Sequence, residues 1–263
     1  MRNQLFATAA VAAFFALTGA AAQAQTVGSV GAGYSRAEVD TGLGDGDLDV
    51  FSADGSVAFD AGSLRGAVDG SVANFDGDGG DATNWSVTGH LNTGFNGGLA
   101  GGFVGVTTND EVTVWGVGGE AQFNVAPQTT LYGQIGYGQS DDLADADLWA
   151  GRAELRYFIS DNFKVQGSAG YTNIDTNFGD LDTWNIGADA EYQFASTPWS
   201  VTAGYEHGEI DDANLESDTF KVGVRYSFGG TLRDRDQAGA SLGSVNNLFG
   251  GALGQSVIAA FGQ

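Results

Sequence analysis

Between Val27 and Phe228 the sequence repeats a single beat. Segments of about ten residues alternate apolar and polar side chains and are separated by Gly, Asp and Asn. Twelve such segments can be read: 27–38, 48–59, 64–75, 83–95, 98–107, 112–125, 129–139, 147–159, 163–173, 184–194, 199–207 and 218–228. Successive strand side chains point to opposite faces, so each segment divides an apolar from a polar environment. The chain is therefore all-β. The open question is whether the strands form a sandwich or a closed barrel.

The apolar stripes favour the barrel. Trp149, Gly151, Ala153, Leu155 and Tyr157 share one face of the eighth segment, with Arg152, Glu154 and Arg156 on the other. In the tenth, Trp184, Ile186, Ala188, Ala190, Tyr192 and Phe194 stand against Asp189, Glu191 and Gln193. In the eleventh, Trp199, Val201, Ala203 and Tyr205 stand against Ser200, Thr202 and Glu206. Stripes with aromatic ends and small middles suit strands whose ends lie at two membrane interfaces. A sandwich core wants large apolar residues at mid-strand.

The connections alternate in kind. Five are tight (60–63, 96–97, 126–128, 160–162, 195–198), and six are longer or more acidic (40–47, 76–82, 108–111, 140–146, 174–183, 208–217). Twelve antiparallel strands with both termini on one side require this five-and-six division. Of the 33 Asp and Glu, 21 lie in the six longer connections or at the strand ends beside them, with no Lys or Arg among them. A barrel explains that bias, because alternate connections share one rim. Merging two segments would give ten strands.

The N-terminus reads as a secretory leader over 1–24. Arg2 supplies the positive end, 5–17 the apolar run and Ala22-Gln23-Ala24 the small-x-small cleavage site. No later stretch holds the roughly 18 apolar residues that a membrane helix needs, so a membrane-spanning mature chain has to be a β-barrel. The formal charge is −23, and with only ten Lys and Arg the chain is a poor match for nucleic acid. It has no Cys, which removes disulfides, thiolate catalysis and Cys-based metal sites.

The last segment carries a further pattern. In Lys221-Val222-Gly223-Val224-Arg225-Tyr226-Ser227-Phe228, the residues Lys221, Gly223, Tyr226 and Phe228 fill the polar, Gly, aromatic and final aromatic positions of a known signal. The segment resembles the closing strand of porin-like outer-membrane β-barrel proteins of Gram-negative bacteria. The resemblance covers roughly 26–228. It implies a transmembrane antiparallel up-and-down barrel in the cell outer membrane, with short periplasmic turns and acidic extracellular loops. It also implies recognition of the closing strand by the barrel-assembly machinery, and passive transport or an envelope role. One departure is plain: the family usually ends at this aromatic, and here 35 residues follow Phe228.

If the apolar face meets lipid, the charges between face inward. They are Asp54, Arg65, Asp69, Glu120, Arg152, Glu154, Arg156, Lys164, Asp189, Glu191, Glu206, Lys221 and Arg225, joined by Gln134, Gln166, Thr172, Ser200 and Thr202. Twelve strands lie between barrels that side chains fill and barrels that hold an open channel. The expectation is a narrow pore for small solutes or ions, with a mild cation preference from the acidic rim. The alternative is a closed structural or surface-interaction barrel. In 98–107 and 112–125 the register is ambiguous, because Val104, Val106, Val112 and Val114 fall on the supposed lumen side.

No cofactor or dedicated metal site is expected. The Asp-rich 45–49 and 76–81 offer alternating carboxylates but lack the closing Glu of a calcium loop, so contact with cations and lipopolysaccharide is the milder expectation. His90 and His207 are too few for a three-His zinc site, and no nucleophile elbow marks an enzyme. Beyond Phe228, Leu242, Val245, Leu248, Phe249, Leu253, Val257, Ile258 and Phe261 recur at helical spacing, weakened by Gly. A surface helix, a plug in the barrel and disorder are all compatible with that pattern. Residues 229–263 are expected as a periplasmic tail or weak amphipathic helix.

Overall fold

The computed structural model describes residues 26–40, 42, 45–77, 80–109, 112–142, 145–177, 179–210 and 215–249. The expected leader and the last part of the tail, 250–263, lie outside the described residues. Twelve strands form a closed barrel in which each pairs with its sequence neighbours and the first with the last. They are β1 (Val27–Asp40), β2 (Asp45–Ala61), β3 (Leu64–Gly77), β4 (Gly80–Phe95), β5 (Gly98–Thr108) and β6 (Thr113–Ala126), followed by β7 (Thr129–Ser140), β8 (Ala146–Ser160), β9 (Phe163–Thr176), β10 (Gly179–Gln193), β11 (Trp199–Ile210) and β12 (Leu215–Phe228). All twelve pairings are antiparallel. The closing pair runs from Gly28↔Phe228 to Asp40↔Glu216. Closure removes both sheet edges, so no row of backbone N–H and C=O groups is left facing hydrocarbon.

The period of two sorts side chains as expected. Ile135, Trp149, Leu155, Ile186, Phe220 and Val222 lie on the outer surface, each at least half exposed. Aromatic pairs band that surface near both ends. Toward one end are Tyr34–Phe51, Tyr137–Trp149 and Tyr205–Phe220, with ring centroids 5.0–5.3 Å apart. Toward the other are Phe95–Phe123 at 5.4 Å and Trp199–Tyr226 at 5.2 Å. The ambiguous register divides. Val104 and Val106 belong to the outer face, Val104 being 59% exposed and Val106 pairing with Val87 and Trp115. Val112 and Val114 are buried inside.

Tight turns close the end that carries Val27 and Phe228. At the opposite rim the strands run on into the acidic connections, with Asp40↔Asp45, Gly77↔Gly80 and Thr176↔Gly179 still in register. A crossing strand needs only about 9–11 residues. The 15 of β8, for example, exceed that length, and the surplus projects beyond the membrane. Girdle tyrosines hold rim carboxylates across the strands: Tyr34 Oη donates to Asp49 at 2.6 Å, Tyr171 to Asp182 at 2.7 Å and Tyr205 to Asp218 at 2.5 Å. Arg36 joins this rim, 2.5 Å from Asp47.

The segment after β12 departs from expectation. Residues 231–249 enter the barrel instead of lying along the membrane surface. Gly229 (φ 86°) and Gly230 (φ 149°) turn the chain back, in conformations that side chains disfavour. Helix α1 (Leu232–Gln237) starts with a capping box in which Thr231 and Asp234 bond each other's backbone N–H. A single turn, α2 (Val245–Leu248), follows, capped by Ser244. The helical periodicity is therefore realised as one turn among the described residues. Its apolar side chains meet the lumen wall instead of lipid.

Placing an Arg at Ile135, midway along β7, should lower stability by about 2–4 kcal/mol, the cost of a lipid-facing cation near midplane. Urea unfolding in lipid vesicles measures this directly.

Candidate functional site: the lumen and its inserted segment

One half of the lumen is built to receive the segment. Gly105 on β5, Gly116 on β6, and Gly136 and Gly138 on β7 face inward. A Cβ at Gly105 would stand 2.8 Å from Val245, one at Gly136 2.7 Å from Leu248, and one at Gly138 2.7 Å from Phe249. The missing side chains make the space that these apolar residues fill. Val245, Leu248 and Phe249 join Phe103, Val112, Val114, Leu148, Ala150 and Ile174 in a buried cluster. Wall side chains satisfy the segment's backbone: Thr88 accepts from Val245 N at 3.0 Å, Gln134 donates to Gly243 O at 2.6 Å, and Thr172 donates to Leu248 O at 3.2 Å. Toward the turns, Ser56 donates to Ala240 O at 2.7 Å.

Charge fixes α1 at the mouth. Asp236 accepts from Arg156 at 2.7 Å and from Thr130 at 2.8 Å, while Gln122 donates to its carbonyl at 2.9 Å. Arg156 also donates to Glu154 at 2.6 Å, and Glu154 accepts from Arg152 at 3.0 Å. The Arg156 guanidinium lies 4.9 Å from the Tyr132 ring centre. Arg235 reaches Glu191 and Ser227, each at 2.6 Å. Arg233 bonds Asp161 and the Pro127 carbonyl on the tight turns. Buried charges are tolerated when geometry and hydrogen bonds compensate their desolvation, and Arg156 and Asp236, each 1% exposed, are compensated on every side.

The charges expected inside fall into groups. Asp54 pairs with Arg225 at 2.6 Å and Glu206 with Lys221 at 2.6 Å. Lys164 stands 3.9 Å from Glu191. Arg65 lies at the mouth, 3.1 Å from the Gln237 carbonyl and 3.3 Å from Asp60. Asp69 and Glu120 meet on His90, whose two ring nitrogens lie 2.8 and 2.9 Å from them. Glu120 also accepts from Tyr132 at 2.7 Å and from Asn92 at 2.7 Å. Asp189 lines a cavity of about 450 Å³ left along the wall opposite the apolar cluster. That cavity follows β1 from Ser29 to Ala37, with the inserted segment on its other side. His90, Tyr132, Arg235 and Asp236 were not expected here. The alternating 233–236 charges were the one available signal.

A family model for the outer membrane protein beta-barrel domain matches residues 6–228. The chain belongs to this family. It is a protein of the outer membrane, with its tight turns periplasmic and its acidic rim extracellular. Solved structures share the fold at low identity. The translocator domain of the autotransporter NalP from Neisseria meningitidis is 16% identical, with a TM-score of 0.55 over 86% of this chain and 98% of that one. An outer membrane channel from Pseudomonas putida F1 is 11% identical, with a TM-score of 0.59 over 78% and 95%. The NanC porin is 8% identical, with a TM-score of 0.57 over 74% and 98%. Comparison with curated protein sequences gives no match.

Within this outer-membrane barrel, Arg156→Gln leaves Asp236 buried without its cationic partner. Loss of one partner of a buried pair costs about 3–5 kcal/mol, so α1 should detach and trypsin should cut at Arg233 and Arg235 at least ~100-fold faster. Timed proteolysis of the folded barrel, followed by mass spectrometry, measures this.

Proposed function

We propose that the protein is a small diffusion channel with a mild cation preference, and that residues 231–249 act as its stopper. The supporting observation is the division of the lumen. Arg152, Arg156 and Glu120 are at most 9% exposed, Arg156 being bonded to Asp236 of the inserted segment and Glu120 to His90, Asn92 and Tyr132 of the wall. The free volume lies along β1–β3 and β8–β12 and is lined by charges of both signs. Solutes follow that wall, and the acidic rim raises the local cation concentration before they enter. The rim also meets lipopolysaccharide through cations, and Lys221, Gly223, Tyr226 and Phe228 present the closing strand to the assembly machinery. Both His90 nitrogens are engaged by carboxylates, so this imidazole has no nitrogen left to activate a hydroxyl.

A closed structural barrel is the second reading, favoured by the buried Arg156–Asp236 pair. The chain has no Cys, so an engineered pair forms one defined disulfide. Thr107 Oγ1 and Asn246 Oδ1 are 3.2 Å apart, which makes Thr107→Cys with Asn246→Cys a lock on the stopper. In planar bilayers the reduced variant should show conductance steps with a mild cation preference, and oxidation should reduce or abolish them. Absence of steps in the reduced protein and the wild type, in any salt, would leave the closed-barrel reading.

A further inference from the structure

The charges around the cavity do not cancel locally. Lumen carboxylates have a basic or imidazole partner within 4 Å, and Asp189 is the exception among the described residues. Its carboxylate lies over Gly204 of β11, where a Cβ would stand 3.1 Å from Asp189 Cγ. Lys164 is nearly as free. Glu191, 3.9 Å away, already accepts from Arg235 at 2.6 Å and from Ser200 at 2.8 Å. Grouped by contact, Lys164, Arg225 and Arg235 face Glu191 and Asp54, leaving one positive charge over. Arg152 faces Glu154 and Asp69 is held by His90, while Lys221 faces Glu206 with Asp189 on the same wall, leaving the Asp189 charge over.

These excesses have a fixed spacing. Lys164 pairs in register with Glu191, two residues along β10 from Asp189. One pleat repeat separates them, about 7 Å along the strand, on one wall. Beyond Arg235, the stopper presents Ser241, Ser244, Asn246 and Asn247 to the cavity, which are polar and uncharged. A lone anion at Lys164 leaves Asp189 unanswered, and a lone cation at Asp189 leaves Lys164 so. A solute carrying both charges answers both, and a cavity of about 450 Å³ is of ligand-binding size.

We infer that this cavity binds small zwitterionic solutes, with an ammonium group on Asp189 and a carboxylate on Lys164, and with the charges separated as in an ω-amino acid. The inference rests on the diffusion-channel reading and names the solute class that would use the site. Equilibrium dialysis of the detergent-purified full chain against radiolabelled 6-aminohexanoate tests it. Binding should saturate at one per barrel. Glycine, hexanoate and hexylamine should compete at least about tenfold less well than unlabelled 6-aminohexanoate, since each loses one charged contact or the span between them. Asp189→Asn and Lys164→Gln should each weaken binding by about tenfold or more. Heat-modifiable gel mobility checks that each variant is folded. If a variant does not fold, the wild-type competition series decides. Absence of saturable binding, hexanoate competing as well as 6-aminohexanoate, or folded variants that bind like wild type would each overturn the inference. Binding without bilayer conductance keeps the site and removes the channel; conductance without binding removes the site alone.

Discussion

The pairing of β1 with β12 is the constraint on which the rest depends. Hydrocarbon offers no partner for a free strand edge, so the sheet has to close, and it does so over the register from Gly28↔Phe228 to Asp40↔Glu216. Closure fixes the direction of every side chain. It puts Tyr226 on lipid and Arg225 in the lumen. It also sets the fate of the residues after Phe228, because the last strand ends at the periplasmic rim directly beside the lumen. Gly229 and Gly230 reverse the chain there, and it enters the barrel.

A barrel of this size has more interior than its own side chains fill. The chain solves the two halves of its lumen differently. On β5–β7 the wall is stripped to glycine and the inserted segment supplies Val245, Leu248 and Phe249. On β1–β3 and β8–β12 the wall keeps its charges and a cavity remains. Arg235 and Asp236, adjacent in sequence, straddle the boundary. One reaches Glu191 on β10 and the other Arg156 on β8.

Much of the fold was legible because a membrane barrel writes its geometry as a period of two. The strand count, the outward stripes and the parity of acidic and tight connections are local patterns, and each survives in the structure. The expectation of thirteen inward charges comes from the same parity. What was not legible depends on contacts far apart in sequence. Val245 with Leu248 and Phe249 reads equally as a membrane-surface face or a lumen filler, and only the facing glycines decide. Nothing in the local pattern around those glycines, Gly116 and Gly136 among them, sets them apart from other strand glycines. Val104 and Val106 were ambiguous because the neighbouring lumen positions on that wall, Phe103 and Val114, are also apolar once the segment covers them. His90 was set aside as one of too few histidines. Its place between Asp69 and Glu120 joins β3, β4 and β6, which no spacing motif records.

Residues 231–249 rise through the lumen toward the extracellular rim. Pulsed spin-label distance measurements test it most directly. A label at the exposed Asn247 is paired in turn with one at Asp142 on the extracellular rim and one at Asn96 on a periplasmic turn. Asn246 touches Thr107, next to the rim end of β5, so the distance to Asp142 should be the shorter and its distribution narrow. A shorter distance to Asn96 would place the segment beneath the barrel and contradict the account.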